Sequence, residues 1–169
     1  MIESDYPTAS EYFSLMRSSD RDMEELIEYF KQQQEEVLIC VFGDHQPVLE
    51  DDFYEELFAE NGKSEQENLF NQYKTPFWIW ANYDMEEQEE VEISLNYLGG
   101  LLFEAAGLPE SPYMQYLSEV REEYPVLTIN GYKDAEGTLH TLEELPDKLK
   151  EYERIQYYIV YDGGFDDQY

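Results

Sequence analysis

Val37-Leu38-Ile39-Cys40-Val41-Phe42 runs without a polar residue into Gly43-Asp44-His45-Gln46-Pro47. A continuous apolar run of this length, with Glu35 and Glu36 before it and Gly and Pro after it, reads as a strand buried on both faces. An acid and an imidazole stand side by side at its carboxyl end, where open α/β sheets place their ligand sites. Asp offers a hard oxygen and His a borderline nitrogen, a pair suited to a divalent ion such as Mn²⁺ or Zn²⁺. Neighbours in a regular strand point to opposite faces. Gly43 and Pro47 let the chain leave strand geometry, so that Asp44 and His45 can converge on one ion. Two ligands do not complete a site, so the junction is either one arm of a metal centre or an ordinary strand-to-loop turn.

The residues around the junction narrow that choice. Val-Phe-Gly-Asp-His-Gln-Pro (41–47), with an acidic helix starting near Phe53-Tyr54, resembles the C-terminal metal-binding motif of the lipoteichoic acid synthase-like phosphoglycerol transferases. These belong to the sulfatase branch of the alkaline phosphatase superfamily. Thr75-Pro76-Phe77-Trp78-Ile79-Trp80-Ala81-Asn82-Tyr83 is similar to that family's next strand. Ser94-Leu95-Asn96-Tyr97-Leu98, Ala106-Gly107-Leu108-Pro109 and Ser111-Pro112-Tyr113 are similar to its following helix and turn. The resemblance covers most of residues 10–135, and its Gly-Asp-His-Gln-Pro core is its most specific part.

The resemblance implies an α/β fold, a sheet covered by helices on both faces, as the C-terminal portion of an alkaline phosphatase/sulfatase-like catalytic domain. It implies Asp44 and His45 as metal ligands, and Mn²⁺ before Zn²⁺ or Mg²⁺ as the ion, weakly bound or absent in the isolated chain. In the family a Thr or Ser nucleophile and a further acidic ligand lie upstream of the Asp-His motif. No matching region is found here, so no catalytic residue is assigned, and the chain alone is expected to be inactive. The implied partners are the remainder of the catalytic domain and a glycerophospholipid-type substrate. The implied parent is membrane-anchored with an extracellular catalytic domain and acts on phosphate or sulfate esters in cell-envelope polymer synthesis. A second reading stays open: a non-catalytic acidic α/β domain that binds a protein partner.

Composition bounds both readings. The 169 residues suit one domain, with residues 1–10 an extended lead-in and 163–169 a loose acidic tail. Hydrophobic residues at 42% and aromatics at 16% argue against a disordered acidic polymer. Forty acids against ten bases give a net charge of −30, which opposes binding to nucleic acid or anionic lipid. Cys40 is the one cysteine, so no internal disulfide can form, and its place in the apolar run makes it a core residue. No run reaches the roughly 18–20 apolar residues of a membrane span, and no signal-peptide pattern follows Met1, so the chain reads as soluble.

Along the chain, Ser10 to Met16 suggests a short helix, and Ser19 or Asp20 an N-cap for a second carrying Met23, Leu26, Ile27 and Phe30. Helices are expected over residues 53–58, 93–106 and 112–120, and over 142–152 with a break at Pro146. Residues 62–72 read as a loop and residues 85–92 as a solvated acidic run. Strands are expected over residues 77–80, 126–129 and 155–161, with turns at Asn130-Gly131 and Glu136-Gly137. Gly99-Gly100 suggests a helix approaching the sheet closely, and Gly107 a helix C′ residue. His140 reads as an exposed loop residue, and Trp78 and Trp80 as a pair sharing one strand face. Thr8 and Thr75 lack the partners a nucleophile needs. Glu86-Glu87 and Glu89-Glu90 lack the spacing of a Ca²⁺ loop.

Overall fold

The computed structural model describes residues 5–59 and 62–161. The fold mixes helix and sheet, and the chain divides into two compact units, Met1–Glu87 and Gln88–Tyr169.

The first unit opens with α1, Pro7–Phe30, one helix of 24 residues where two were expected. The anticipated cap at Ser19 or Asp20 lies in its interior. No Gly or Pro interrupts residues 8–30, and Ser or Asp inside a helix costs only about 0.5 kcal/mol relative to Ala, too little to break it. Its start is held from a distance: the Glu50 carboxylate accepts from the Thr8 N–H at 2.6 Å and the Ala9 N–H at 3.1 Å. That anion satisfies two of the orphan donors and meets the positive end of the helix.

β1, Leu38–Phe42, pairs antiparallel with β2, Phe77–Ala81, so that Cys40 faces Ile79 and Phe42 faces Phe77. Asn82 ties this ribbon to the end of α1. Its Oδ1 accepts from the Val37 N–H at 2.8 Å, while its Nδ2 donates to the carbonyls of Phe30 at 3.2 Å and Glu35 at 2.8 Å. The expectation that β1 is buried on both faces is not met: its residues are only partly buried, and Phe42 is 48% exposed. A two-stranded ribbon offers one neighbour where a buried strand needs two.

Between these strands lie α2, Asp51–Ala59, and α3, Glu65–Asn71. The latter replaces much of the loop expected over residues 62–72. Its signal was in the sequence: the Ser64 hydroxyl accepts from the Glu67 N–H, and the Glu67 carboxylate accepts from the Ser64 N–H, a full capping box.

The second unit is built around Tyr97, Leu117, Val120, Tyr132, Leu149 and Tyr152. Its helices are α4, Leu98–Ala105, α5, Pro112–Glu123, and α6, Asp147–Tyr161, and β3, Val126–Thr128, β4, Gly131–Lys133, and β5, Leu139–His140, form an antiparallel sheet. The helix expected from residue 93 begins later, after a 3-10 turn at Leu95–Tyr97. Ser94 is drawn to β3 instead: its hydroxyl donates to the Leu127 carbonyl at 2.8 Å and accepts from the Leu127 N–H. Gly107 closes α4 with φ +64, as anticipated. At Gly100 a side chain would meet Glu110 and Ser118, the latter on α5, so the close approach there is not to a sheet.

The strand expected over residues 155–161 is helix. Leu149, Tyr152, Ile155 and Ile159 are the inward or partly inward positions, and their spacings of three, three and four are helical. Pro146 precedes this helix rather than breaking one, and its carbonyl accepts from the Lys150 N–H. The extended lead-in expected over residues 1–10 gives way to α1 at Pro7, and the loose tail expected over 163–169 lies outside the described residues.

Candidate metal-ligand junction

The turn after β1 is fastened to the residues that lead into β2. The Gly43 N–H donates to the Pro76 carbonyl at 3.0 Å, the Thr75 hydroxyl donates to the Gly43 carbonyl at 2.7 Å, and the Gln46 amide donates to the Lys74 carbonyl. On the other side, the Tyr54 hydroxyl of α2 donates to the Pro47 carbonyl. Asp44 and His45 are therefore carried on a turn held at both ends. Thr75, set aside above as a nucleophile, spends its hydroxyl on that fastening.

Within the turn, Asp44 Oδ1 accepts from the backbone N–H of His45 at 2.9 Å. His45 Nδ1 lies 2.9 Å from the Gln46 carbonyl oxygen. A carbonyl can only accept, so Nδ1 carries the proton and Nε2 of the neutral ring presents its lone pair. That Nε2 stands 3.6 Å from Asp44 Oδ2. Two lone-pair donors this close repel unless a cation or a proton lies between them. Donors roughly 2.1 Å from one ion stand about 3–3.5 Å apart, so the pair needs little adjustment to share a divalent ion. Ligating His side chains commonly donate their other ring N–H to a backbone carbonyl, which fixes the ring's orientation. Both side chains are largely exposed, Asp44 at 80% and His45 at 76%, so the pair opens outward. Among the described residues no group of three or more His, Cys, Asp or Glu side chains converges.

The other singled-out residues take structural places. His140 is not an exposed loop residue: it lies on β5, its Nε2 is 2.7 Å from Asp134 Oδ2, and its ring stacks on Tyr132 at 4.8 Å. The two flank the turn at Glu136-Gly137, and that spacing was the signal in the sequence that would have paired them. Cys40 is partly buried and its thiol is pushed up by burial, which keeps it protonated and unreactive. Trp78 stays 37% exposed on β2. No described helix is long and apolar enough to cross a membrane.

The family model described as Sulfatase matches residues 3–108, more than half of the chain, and the chain belongs to the sulfatase family. A protein of Rhizobium meliloti (strain 1021), named for cyclic beta-1,2-glucan modification, is 24% identical over 175 residues that take in 95% of this chain and 27% of the relative. Among solved structures, Streptococcus pyogenes phosphoglycerol transferase GacH, in complex with sn-glycerol-1-phosphate, matches with a TM-score of 0.55 and 23% identity. That match covers 82% of this chain and 31% of the other. The fold is thus that of the sulfatase-like phosphoglycerol transferases, whose superfamily is generally metal-dependent, and the chain spans about a third or less of the proteins it matches.

Proposed function

We propose that residues 1–169 are the C-terminal part of the catalytic domain of a metal-dependent phosphoglycerol transferase or sulfatase-like hydrolase. Its substrates are phosphate or sulfate esters used in building cell-envelope polymers. The observation that supports this most is the facing of His45 Nε2 and Asp44 Oδ2 across 3.6 Å, with Nδ1 fixed by the Gln46 carbonyl. Asp44 and His45 would hold the ion, with Mn²⁺ favoured over Zn²⁺ or Mg²⁺. When bound, the ion supplies positive charge against an attacking oxygen and an anionic ester, which a chain of net charge −30 would otherwise repel. The chain's own part is positional: the bonds from Pro76, Thr75, Lys74 and Tyr54 hold the turn, and the Gln46 carbonyl holds the imidazole tautomer.

The nucleophile and the remaining ligand belong, in this reading, to a preceding part of the domain in a membrane-anchored parent with its catalytic domain outside the cell. The isolated chain should bind Mn²⁺ weakly and hydrolyse no phosphodiester. Manganese titration followed by water-proton relaxation, on the chain and its Asp44→Ala and His45→Gln variants, tests the ligand pair. Binding that both variants weaken at least tenfold supports it. Equal binding by all three would leave a non-catalytic acidic domain as the better reading, and turnover by the isolated chain would remove the need for an outside nucleophile.

A further inference from the structure

Pro47 is the one residue of the turn whose φ is fixed by a ring, at about −65°. The plane of the Gln46–Pro47 peptide and the Pro47 carbonyl are therefore joined through a single free torsion, ψ of Pro47. The Gln46 carbonyl is the acceptor for His45 Nδ1, at 2.9 Å. The Pro47 carbonyl accepts from the Tyr54 hydroxyl in a partly buried contact. Whatever orients the second carbonyl orients the first, and through it the imidazole.

The Tyr54 ring has little freedom of its own. It stacks on Phe58, one turn further along α2, with ring centroids 6.0 Å apart and planes 17° from parallel, and it meets Phe53 edge-on at 5.8 Å. The start of α2 is anchored as well. The Glu50 carbonyl accepts from the Phe53 and Tyr54 N–H groups at 3.1 and 3.3 Å, while the Glu50 carboxylate holds the first turn of α1. Burial raises the Tyr54 hydroxyl above the ordinary phenol value, so it keeps its proton and remains a donor. A fixed donor thus meets a carbonyl that has one torsion left to set.

We infer that Tyr54 is a positioning residue for His45, acting through Pro47 and the Gln46 carbonyl. Its hydroxyl sets ψ of Pro47, and the proline ring passes that setting to the Gln46 carbonyl. The carbonyl in turn keeps the ring proton on Nδ1 and leaves Nε2 open toward Asp44 Oδ2. The inference rests on the reading of Asp44 and His45 as metal ligands. It goes further by giving α2, which carries neither of the two, control over the tautomer that His45 offers.

The test is read first without metal. Long-range proton–nitrogen correlation spectra of the labelled chain, at a pH where imidazoles are neutral, show which ring nitrogen carries the proton. The chain has two histidines, so a His45→Gln spectrum assigns the rings, and His140, set against Asp134, serves as the internal reference. The natural chain should hold His45 mostly as the Nδ1–H tautomer. Tyr54→Phe, which removes one oxygen, should lower the ratio of the Nδ1–H to the Nε2–H form about threefold or more, the reach of one neutral hydrogen bond. His140 should stay unchanged. Pro47→Ala, which frees φ, should act like Tyr54→Phe, and the double variant should lose no more than either alone, because both act through one relay. Phe70→Leu destabilises the same unit away from the relay, and should lower the urea midpoint while leaving the His45 ratio in place. Water-proton relaxation then reads Mn²⁺ binding. Outer partners of a ligating His set affinity by about 10- to 100-fold, and Tyr54 stands one link further out, so Tyr54→Phe should weaken binding about threefold. A tautomer ratio unchanged in Tyr54→Phe, one that Phe70→Leu moves as far, or an additive double variant overturns the inference. A ratio that moves as expected, with Mn²⁺ binding equal in the natural chain and Asp44→Ala, sinks the metal reading alone and leaves the relay standing.

Discussion

The Thr75 hydroxyl reaches the Gly43 carbonyl at 2.7 Å, and a Cβ on Gly43 would lie 2.9 Å from the Cβ of Thr75. The turn that carries Asp44 and His45 therefore closes against Thr75 with no room for a side chain. Gly43→Ala should cost about 1–3 kcal/mol, the usual range for forcing atoms into a packed contact. The neighbour is a short β-branched residue just ahead of a strand, which has little freedom to yield. Thermal unfolding checks the size of the loss. Thr75→Ser, which keeps the hydroxyl, should lose clearly less; equal losses, or an unchanged melting temperature in Gly43→Ala, would show that the turn opens freely.

Asn82 is the second fastening of this unit, joining β2, the start of β1 and the end of α1 through one amide. Asn82→Ala would strand the Val37 N–H and the Phe30 carbonyl in a partly buried setting and release the exposed Glu35 carbonyl. Each unsatisfied group costs about 1–3 kcal/mol when water cannot reach it, so a loss of about 2 kcal/mol or more is expected in urea unfolding. Asn82→Asp should be no better. It keeps an acceptor for Val37 but turns a charge toward two carbonyl oxygens. A melting curve like that of the natural chain would mean that water replaces the amide.

The parts of this fold that were legible in the sequence are those whose signal is local. Pro112 announced α5, Gly107 announced the end of α4, and the apolar runs at residues 37–42 and 77–80 announced β1 and β2. Asp44 and His45 were legible as a pair because they are adjacent. Ile155 to Tyr161 was misread because its apolar and Tyr residues satisfy a short strand as well as a helix, and only burial of Leu149 and Tyr152 selects the longer period. That β1 is only partly buried could not be read at all, because an apolar run reports what a strand prefers and not how many neighbours it has.

The missed helix α3 supplies its own check. Ser64 and Glu67 satisfy two donors reciprocally at its start, and the helix has only 7 residues, so it depends on that cap more than a long helix would. Ser64→Ala should cost about 1 kcal/mol, and Ser64→Asp should restore most of it. Amide exchange of residues 65–70 would show local fraying even where global unfolding barely moves. Unchanged exchange would mean that burial of Phe70, and not the cap, holds the helix.

Asp134 and His140 give the second unit an acid-sensitive contact. The hydrogen bond from His140 holds the Asp134 carboxyl below its ordinary range, and the Thr138 N–H donated to Asp134 Oδ1 acts in the same direction. His140 also stacks on Tyr132, which in turn meets Tyr124 edge-on, so Asp134 is the acid set against the imidazole. A carboxyl lowered in the folded state stabilises the fold at any pH above its unfolded value. That contribution begins to fade below about pH 3.9 and is gone once the pH has passed beneath the lowered folded value. Between those limits the Thr138 amide and the His140 ring signals should shift together in an NMR titration. Asp134→Asn should remove that step and leave the titration of the other acids in place. A step of the same size in Asp134→Asn would assign the acid response to other carboxyls and reduce the pair to a packing contact.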